Sequence, residues 1–242
     1  MEPLISSNQW HSAKRVLYMT HLAIGDYYYQ RGFLAELKRQ YPHIELDIWI
    51  DDCRSRPKEW HAGRNQVLGQ WLDTETHIGR YYPIAASKTQ RKDIIAKAQQ
   101  QHYDIVVFYA ATRTENFAKI ARQISPKGWV VGTKTKPKQK WLKKHLAFKG
   151  VDACMNLDDS PQVAHINDKY RIQLSALFGA RFDPNMPVET LTVPQAQQVQ
   201  MQAWVTQFKE RSPKTQKLVL INPLSTTPKR DLSWSHLVQL IQ

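Results

Sequence analysis

An aspartate follows the first predicted strand, at a place where carboxylates often do chemistry. The segment Thr20-His-Leu-Ala-Ile-Gly-Asp26 is a turn between a short apolar strand and a helix of period 3.6. Asp26 can serve as an N-cap, which contributes about 1 kcal/mol. Alternatively, the helix dipole keeps it ionised, and it accepts a proton from a substrate hydroxyl. His21 is expected to pack beside this turn rather than to act as a base.

The glycine content of this turn disfavours two common nucleotide chemistries. Gly25 is its single glycine, so the spaced glycines of a dinucleotide-binding fingerprint are absent, as is the Gly-Lys-Ser/Thr of a P-loop. We therefore do not expect nicotinamide or P-loop chemistry here.

A second candidate turn lies near the end of the sequence. It reads Asn222-Pro-Leu-Ser-Thr-Thr-Pro-Lys-Arg230 and runs into a predicted helix. Hydroxyls, backbone amides at a helix start and the cations Lys229 and Arg230 suit a phosphate or diphosphate. Ser/Thr/Pro clusters before helices also act as caps, so both interpretations stay open.

Strands that alternate with helices must position these turns. The predicted strands cover 15–20, 44–50, 79–84, 103–110, 128–132 and 217–221. The predicted helices cover 27–39, 65–72, 88–102, 115–124, 163–178 and 194–210. This order predicts an α/β architecture with a mostly parallel sheet covered on both faces, and ligands bind beyond the carboxyl ends of such strands.

The α/β pattern restarts at Lys217, and the sequence stops after one more strand and helix. A lone βα unit of that length cannot bury its own apolar face. We expect 1–194 to form a complete domain and 195–216 to be a linker helix. Residues 217–242 are then the first strand and helix of an incomplete second domain, in a chain that is cut off.

The composition describes a globular chain with an anionic partner. Of 242 residues, 42% are hydrophobic, which excludes collagen-like or wholly disordered material, and the net charge is +13. Cys53 and Cys154 lack metal-ligand spacing and are expected to be reduced thiols of a cytosolic protein. The first fifteen residues lack the apolar region of a signal peptide, and no apolar run approaches the roughly 18 residues of a membrane span.

Taken in order, these pieces resemble glycosyltransferase family 9, the lipopolysaccharide heptosyltransferases. The matching segments are 16–26, 44–50, 103–108, 118–122, 165–179 and 218–229, which span nearly the whole chain. The stretch Tyr18–Asp26, together with Ile50-Asp-Asp-Cys-Arg54, is most similar to the subgroup that attaches the first heptose to Kdo in the core of some Gram-negative bacteria.

The resemblance implies a GT-B enzyme with two Rossmann-like domains that face a cleft. The first domain would receive Kdo–lipid A, and the second would bind the donor substrate, ADP-heptose. The reaction would be an inverting heptosyl transfer without a cofactor or a catalytic metal. Asp26 matches the family's proposed general base, and the segment that contacts the donor phosphates matches Thr226, Thr227 and Lys229.

Basic residues after other strands are candidates for contact with the acceptor. Arg54, Arg56 and Arg113 are placed to meet a Kdo carboxylate or a phosphate, and His61 and Arg64 are further candidates. Asp51 and Asp52 are either site residues or caps.

A lysine-rich loop follows the strand at 128–132. It is either a solvated face or a surface that attracts an anionic inner membrane from the cytoplasmic side, at about 1 kcal/mol per basic residue. Its lysines are Lys134, Lys136, Lys138, Lys140, Lys143 and Lys144.

Two alternatives to an enzyme remain. One is a nucleic-acid-binding module, although no helix-turn-helix, RRM or zinc pattern supports it. The other is a noncatalytic acceptor-binding fragment with little transferase activity.

Overall fold

The computed structural model describes residues 3–21, 23–57, 66–135, 146–186, 193–211 and 233–241. Its strands are β1 Arg15–Thr20, β2 Glu45–Trp49, β3 Tyr81–Tyr82, β4 Ile105–Tyr109, β5 Trp129–Lys134 and β6 Ala153–Asn156. Its helices are α1 Ser7–Ser12, α2 Ile24–Gln40, α3 Gln66–Leu72, α4 Lys88–Gln99, α5 Thr114–Ile124, α6 Ile166–Phe178, α7 Gln195–Arg211 and α8 Trp234–Ile241. A short 3₁₀ helix spans Leu157–Asp159.

The strands form one parallel six-stranded sheet in the order β3-β2-β1-β4-β5-β6. Tyr18 of β1 pairs with Ile48 on one side and with Val107 on the other. From β1 the chain adds β2 and β3 on one side of the sheet, and it then adds β4, β5 and β6 on the other side of β1, so the strand order reverses between β1 and β4. In open α/β sheets, this reversal opens a crevice at the carboxyl ends of the strands.

Alternate residues of each strand enter different cores, because successive side chains of a strand point to opposite faces. Val16 and Tyr18 pack with residues of α1, α2, α3 and α6, whereas Leu17 and Met19 pack with residues of α4 and α5. Full burial of a Leu or Phe side chain stabilises by about 1.5–3 kcal/mol. Both faces of the sheet are therefore covered, which confirms the predicted α/β architecture.

Helix α2 carries the candidate aspartate and is anchored on its inner side. Arg31 Nε donates to Glu75 Oε1 across 2.5 Å, and both side chains are buried. This ion pair ties α2 to the segment that follows α3. The helix begins at Ile24 rather than at the predicted Tyr27, so Asp26 lies inside its first turn.

Helix α1, strand β6 and the 3₁₀ helix were not predicted from the sequence. Helix α1 is short and polar, but Ser6 and Gln9 form a capping box, and the buried indole of Trp10 donates to the Phe178 carbonyl across 2.6 Å. Strand β6 is a four-residue strand at the edge of the sheet. Gly179 has φ 63 and ends α6, as predicted.

Two compact units divide the chain, Met1–Val193 and Pro194–Gln242. The first contains the whole sheet, and the second contributes α7 and α8. The predicted strand at 217–221 lies outside the described residues. Within the described ranges, no helix combines the length and the apolar character that a membrane span requires.

Candidate functional site

The candidate site lies at the carboxyl edge of the sheet, where the segments after β1, β2 and β4 meet. The segment after β1 leads through His21 into α2, and the one after β4 leads to Arg113, which precedes α5. The segment at 50–57 follows β2. Because β1 lies between β2 and β4, the three segments are neighbours.

Asp26 is half-buried at the third position of α2, so it is not the N-cap, which is Ala23. Its Oδ2 accepts the N–H of Ala23 across 3.3 Å. Its Oδ1 lies 3.4 Å from the hydroxyl of Tyr170, which donates to it. The carboxylate therefore caps the helix through one oxygen only.

Space is open beside this carboxylate. Ala23, Ile24 and Gly25 are exposed, and a Cβ atom added to Gly25 would meet no atom within 4 Å. The first turn of α2 is thus accessible from solvent.

Phenols line the inner side of the site. The ring of Tyr170 packs against Tyr29 at 6.2 Å and against Tyr109 at 5.7 Å between ring centroids. Tyr109 donates to Gln173 across 2.5 Å, and Tyr18 donates to Gln30 across 2.6 Å. Burial raises the pKa of Tyr170, and the charge of Asp26 raises it further. The phenol therefore stays protonated and acts as a donor at neutral pH.

The predicted charged residues of the three segments lie close enough to His21 to affect its pKa. The His21 side chain is partly open to solvent. Desolvation by the surrounding protein nevertheless lowers the pKa of His21, so the ring is neutral at neutral pH. The charges that act on it belong to Asp52, Arg113, Asp26 and Arg54.

Asp51 is fully buried and is held by an arginine that the sequence did not single out. Arg91 of α4 donates to its two oxygens, from Nε across 2.5 Å and from Nη2 across 2.9 Å. Burial raises the pKa of Asp51, and the hydrogen bonds and charge of Arg91 oppose that rise. Arg91 also donates to the carbonyl of Arg54 and thereby fixes the loop after β2.

Asp52 organises the other arginines of the site. Arg54 donates to its carboxylate, and Arg113 donates from Nε to its backbone carbonyl across 2.8 Å. The Arg113 Nη2 lies 4.0 Å from Asp52 Oδ2. Burial raises the pKa of Asp52, but the hydrogen bonds and charge of Arg54, with the charge of Arg113, outweigh it, so the net shift is downward.

The arginines proposed from the sequence thus fall into two groups. Arg54 and Arg113 are already bonded to Asp52, so they shape the loop as well as contributing charge. Arg56 is exposed and has no ion pair or hydrogen bond with another residue of the described ranges.

Asn116 of α5, which the sequence also did not indicate, donates to the Cys53 carbonyl across 2.8 Å. This bond ties the loop after β2 to α5.

Several predicted site residues lie outside the described residues. They are His61, Arg64, Thr226, Thr227, Lys229, Lys136, Lys138, Lys140, Lys143 and Lys144. Lys134 is described and is exposed at the carboxyl end of β5.

Comparisons with known proteins identify a similar fold. No protein-family model and no curated protein matches the chain. The crystal structure of the glycosyl transferase family 9 from Veillonella parvula DSM 2008 superposes with a TM-score of 0.63 at 16% identity, over 94% of this chain and 58% of that one. E. coli heptosyltransferase WaaC with ADP-2-deoxy-2-fluoro heptose gives a TM-score of 0.48 at 16% identity, over 72% of this chain and 51% of its own. E. coli ADP-heptose lps heptosyltransferase II gives a TM-score of 0.49 at 11% identity, over 79% of this chain and 50% of its own.

The Veillonella match, together with the parallel sheet and its flanking helices, confirms the predicted GT-B type of α/β fold. The chain spans 58% of the length of that similar protein.

Proposed function

We propose that this chain is the acceptor-binding part of an inverting glycosyltransferase that moves heptose from ADP-heptose to Kdo–lipid A in lipopolysaccharide core biosynthesis. The observation that carries the proposal is the half-buried carboxylate of Asp26 in the first turn of α2, beside open space and at the crevice where the strand order reverses. The fold shared with the Veillonella family 9 protein supports it.

Asp26 would act as the general base. The acceptor hydroxyl gives its proton to the Asp26 carboxylate while its oxygen bonds to the anomeric carbon of heptose. The bond from that carbon to the diphosphate oxygen breaks, and ADP leaves with the electron pair. Because the base stands opposite the leaving group, the configuration inverts, as in inverting glycosidases, where water takes the part of the sugar hydroxyl.

The leaving diphosphate needs positive charge on the other side of the sugar. We propose Thr226, Thr227 and Lys229 for that role, since hydroxyls, amides at a helix start and an ammonium group bind phosphate oxygens well. We also propose that the 242-residue chain alone transfers little heptose, because it corresponds to 58% of the Veillonella protein.

The acceptor would meet the loop after β2. Arg56 is exposed and lacks a partner in the described part of the chain, so its charge is available to a Kdo carboxylate or a lipid A phosphate. Arg54 and Arg113 extend the positive surface while they hold Asp52 in place. His61 and Arg64 are further acceptor contacts in this proposal.

The acceptor is a lipid, so the enzyme would work peripherally at the cytoplasmic face of the inner membrane. The net charge of +13 favours an anionic surface. Lys134, exposed at the end of β5, and the lysines that follow it would face that surface.

Mass spectrometry tests the reaction. Kdo–lipid A is incubated with ADP-heptose and the full-length enzyme, wild type or Asp26→Asn, and the product is searched for one added heptose. Binding of Kdo–lipid A in nanodiscs to this chain tests the acceptor half separately. A chain that binds DNA but not these nanodiscs would favour the nucleic-acid alternative.

A further inference from the structure

Tyr170 faces the candidate base from a different helix. Its hydroxyl on α6 lies 3.4 Å from Asp26 Oδ1 on α2, while the Ala23 N–H binds Oδ2 across 3.3 Å. Each carboxylate oxygen therefore has one protein donor. A carboxylate offers about four acceptor positions, so positions remain for a substrate hydroxyl.

Packing fixes the direction of the Tyr170 hydroxyl. The ring is 8% exposed and lies between Tyr29, with an interplanar angle of 22°, and Tyr109, at 53°. Tyr109 is itself held by Gln173, which lies on α6, the helix that carries Tyr170. The phenol is therefore a rigid donor, whereas the terminal torsion of an aspartate is broad when nothing fixes it.

We propose that Tyr170 is a positioning residue for Asp26, whose hydroxyl orients the carboxylate so that its unused lone pairs point at the acceptor hydroxyl. This inference rests on the proposed role of Asp26 as general base. Reacting groups must be held close to the productive geometry, because a misplacement of about 1 Å costs about 100-fold in rate. Apo hydrogen bonds at such sites are often long and shorten when substrate binds.

The titratable groups around the pair are few within the described residues. Asp26 is faced by Tyr170 of α6, by Tyr109 at the end of β4 and by His21 after β1. Tyr170 is faced in addition by Tyr29 of α2 and by Tyr18 of β1. Burial, followed by the charge of Asp26, raises the pKa of Tyr170, which keeps the hydroxyl protonated across the working pH range.

Kinetics of Tyr170→Phe test the role. With the full-length enzyme, we expect kcat to fall about tenfold or more, KM for Kdo–lipid A to stay within about twofold, and the acidic limb of the pH–rate profile to move. A residue that only stabilised the fold would not move the pH profile. Tyr41→Phe, at the opposite end of α2, is the matched control and is expected to behave as wild type.

A second measurement needs no catalysis. In this chain labelled with ¹³Cζ-tyrosine, NMR titration follows the Tyr170 phenol, which is assigned by its loss in Tyr170→Phe. Asp26→Asn removes the nearby negative charge and is expected to lower the pKa of Tyr170. Asp93→Asn, at an exposed position of α4, is expected to leave it unchanged.

The outcomes separate the two proposals. The positioning role would be overturned if Asp26→Asn left the pKa of Tyr170 unchanged, or if the Tyr170→Phe enzyme kept the wild-type kcat and pH profile. In either case Asp26 would remain the proposed base. Full activity of Asp26→Asn, or no transfer by the wild-type enzyme, would overturn the proposed function itself, while the titration would still report whether the two groups are coupled.

Discussion

Arg91 of α4 donates two hydrogen bonds to the fully buried carboxylate of Asp51. Arg91→Ala would leave that carboxylate without its counter-charge. Loss of one partner of a buried ion pair costs about 3–5 kcal/mol, and we expect a destabilisation of that size in urea unfolding. Lys92→Ala, at the exposed neighbouring position, should stay within about 0.5 kcal/mol of wild type. An unfolding free energy of Arg91→Ala close to that of wild type would contradict this role of Arg91.

The same pair has a pH signature. Burial already raises the pKa of Asp51 although Arg91 opposes it, so the folded state holds this proton more tightly than the unfolded state. Stability from such a group is present at low pH and is lost as the pH rises through the folded pKa. Without Arg91 this pKa rises further, so the deficit of Arg91→Ala should be smaller at pH 4 than at pH 7.

Arg56 should matter for binding and not for folding. Arg56→Ala removes an exposed charge with no partner in the described ranges, so its unfolding free energy should stay within about 0.5 kcal/mol of wild type. We expect weaker binding to Kdo–lipid A nanodiscs and a shallower salt dependence. Arg181→Ala, also exposed, is the control for net charge. Equal losses in both variants would argue against a specific contact.

Two glycines differ in the space around them: Gly25 borders open space, whereas Gly132 lies against the ring of Phe108. Gly132→Ala would drive a Cβ to 2.2 Å from the Phe108 ring, and we expect it to cost about 1–3 kcal/mol. Gly25→Ala meets nothing and lies in a helix, so stability should stay equal or rise by about 0.4–1 kcal/mol. If the acceptor approaches Asp26 over Gly25, the latter variant will nevertheless bind Kdo–lipid A less well. Thermal unfolding and nanodisc binding measure the two effects.

Much of the fold follows from the pattern of the sequence. Strands buried on both faces are mainly apolar, so β1, β2, β4 and β5 can be predicted from their apolar runs. The edge strand β6 is short and half-buried, and its sequence Ala-Cys-Met-Asn carries little strand signal. Helix α1 depends on the docking of Trp10 onto α6, which is a tertiary contact.

Local sequence indicates the residues that closely follow strands, such as Asp26 in the first turn of α2 and Arg54 and Arg113 in the segments after β2 and β4. Tyr170, Arg91 and Asn116 reach the site from helices distant in sequence, so their roles depend on how α6, α4 and α5 pack against the sheet. No spacing in the sequence contains that information.

The two cysteines should react slowly while the protein is folded. Burial raises the pKa of the Cys53 thiol well above its usual value, and it raises the pKa of Cys154 to about 11. Thiolates are the reactive species, so at pH 8 we expect slow modification by a disulfide reagent in the native state and rapid modification of both thiols in urea. Rapid labelling of either thiol in the native protein would contradict these environments.

The most direct test of the central claim is heptose addition to Kdo–lipid A by the full-length enzyme with and without the Asp26 carboxylate. Asp26→Asn keeps the size of the side chain and removes its basicity. We predict an unfolding free energy within about 1 kcal/mol of wild type, because the two contacts of this carboxylate, to the Ala23 N–H and to the Tyr170 hydroxyl, are both long. Heptose transfer should fall by about 100-fold or more in the mass-spectrometric assay. Transfer at the wild-type rate by this variant would contradict the account.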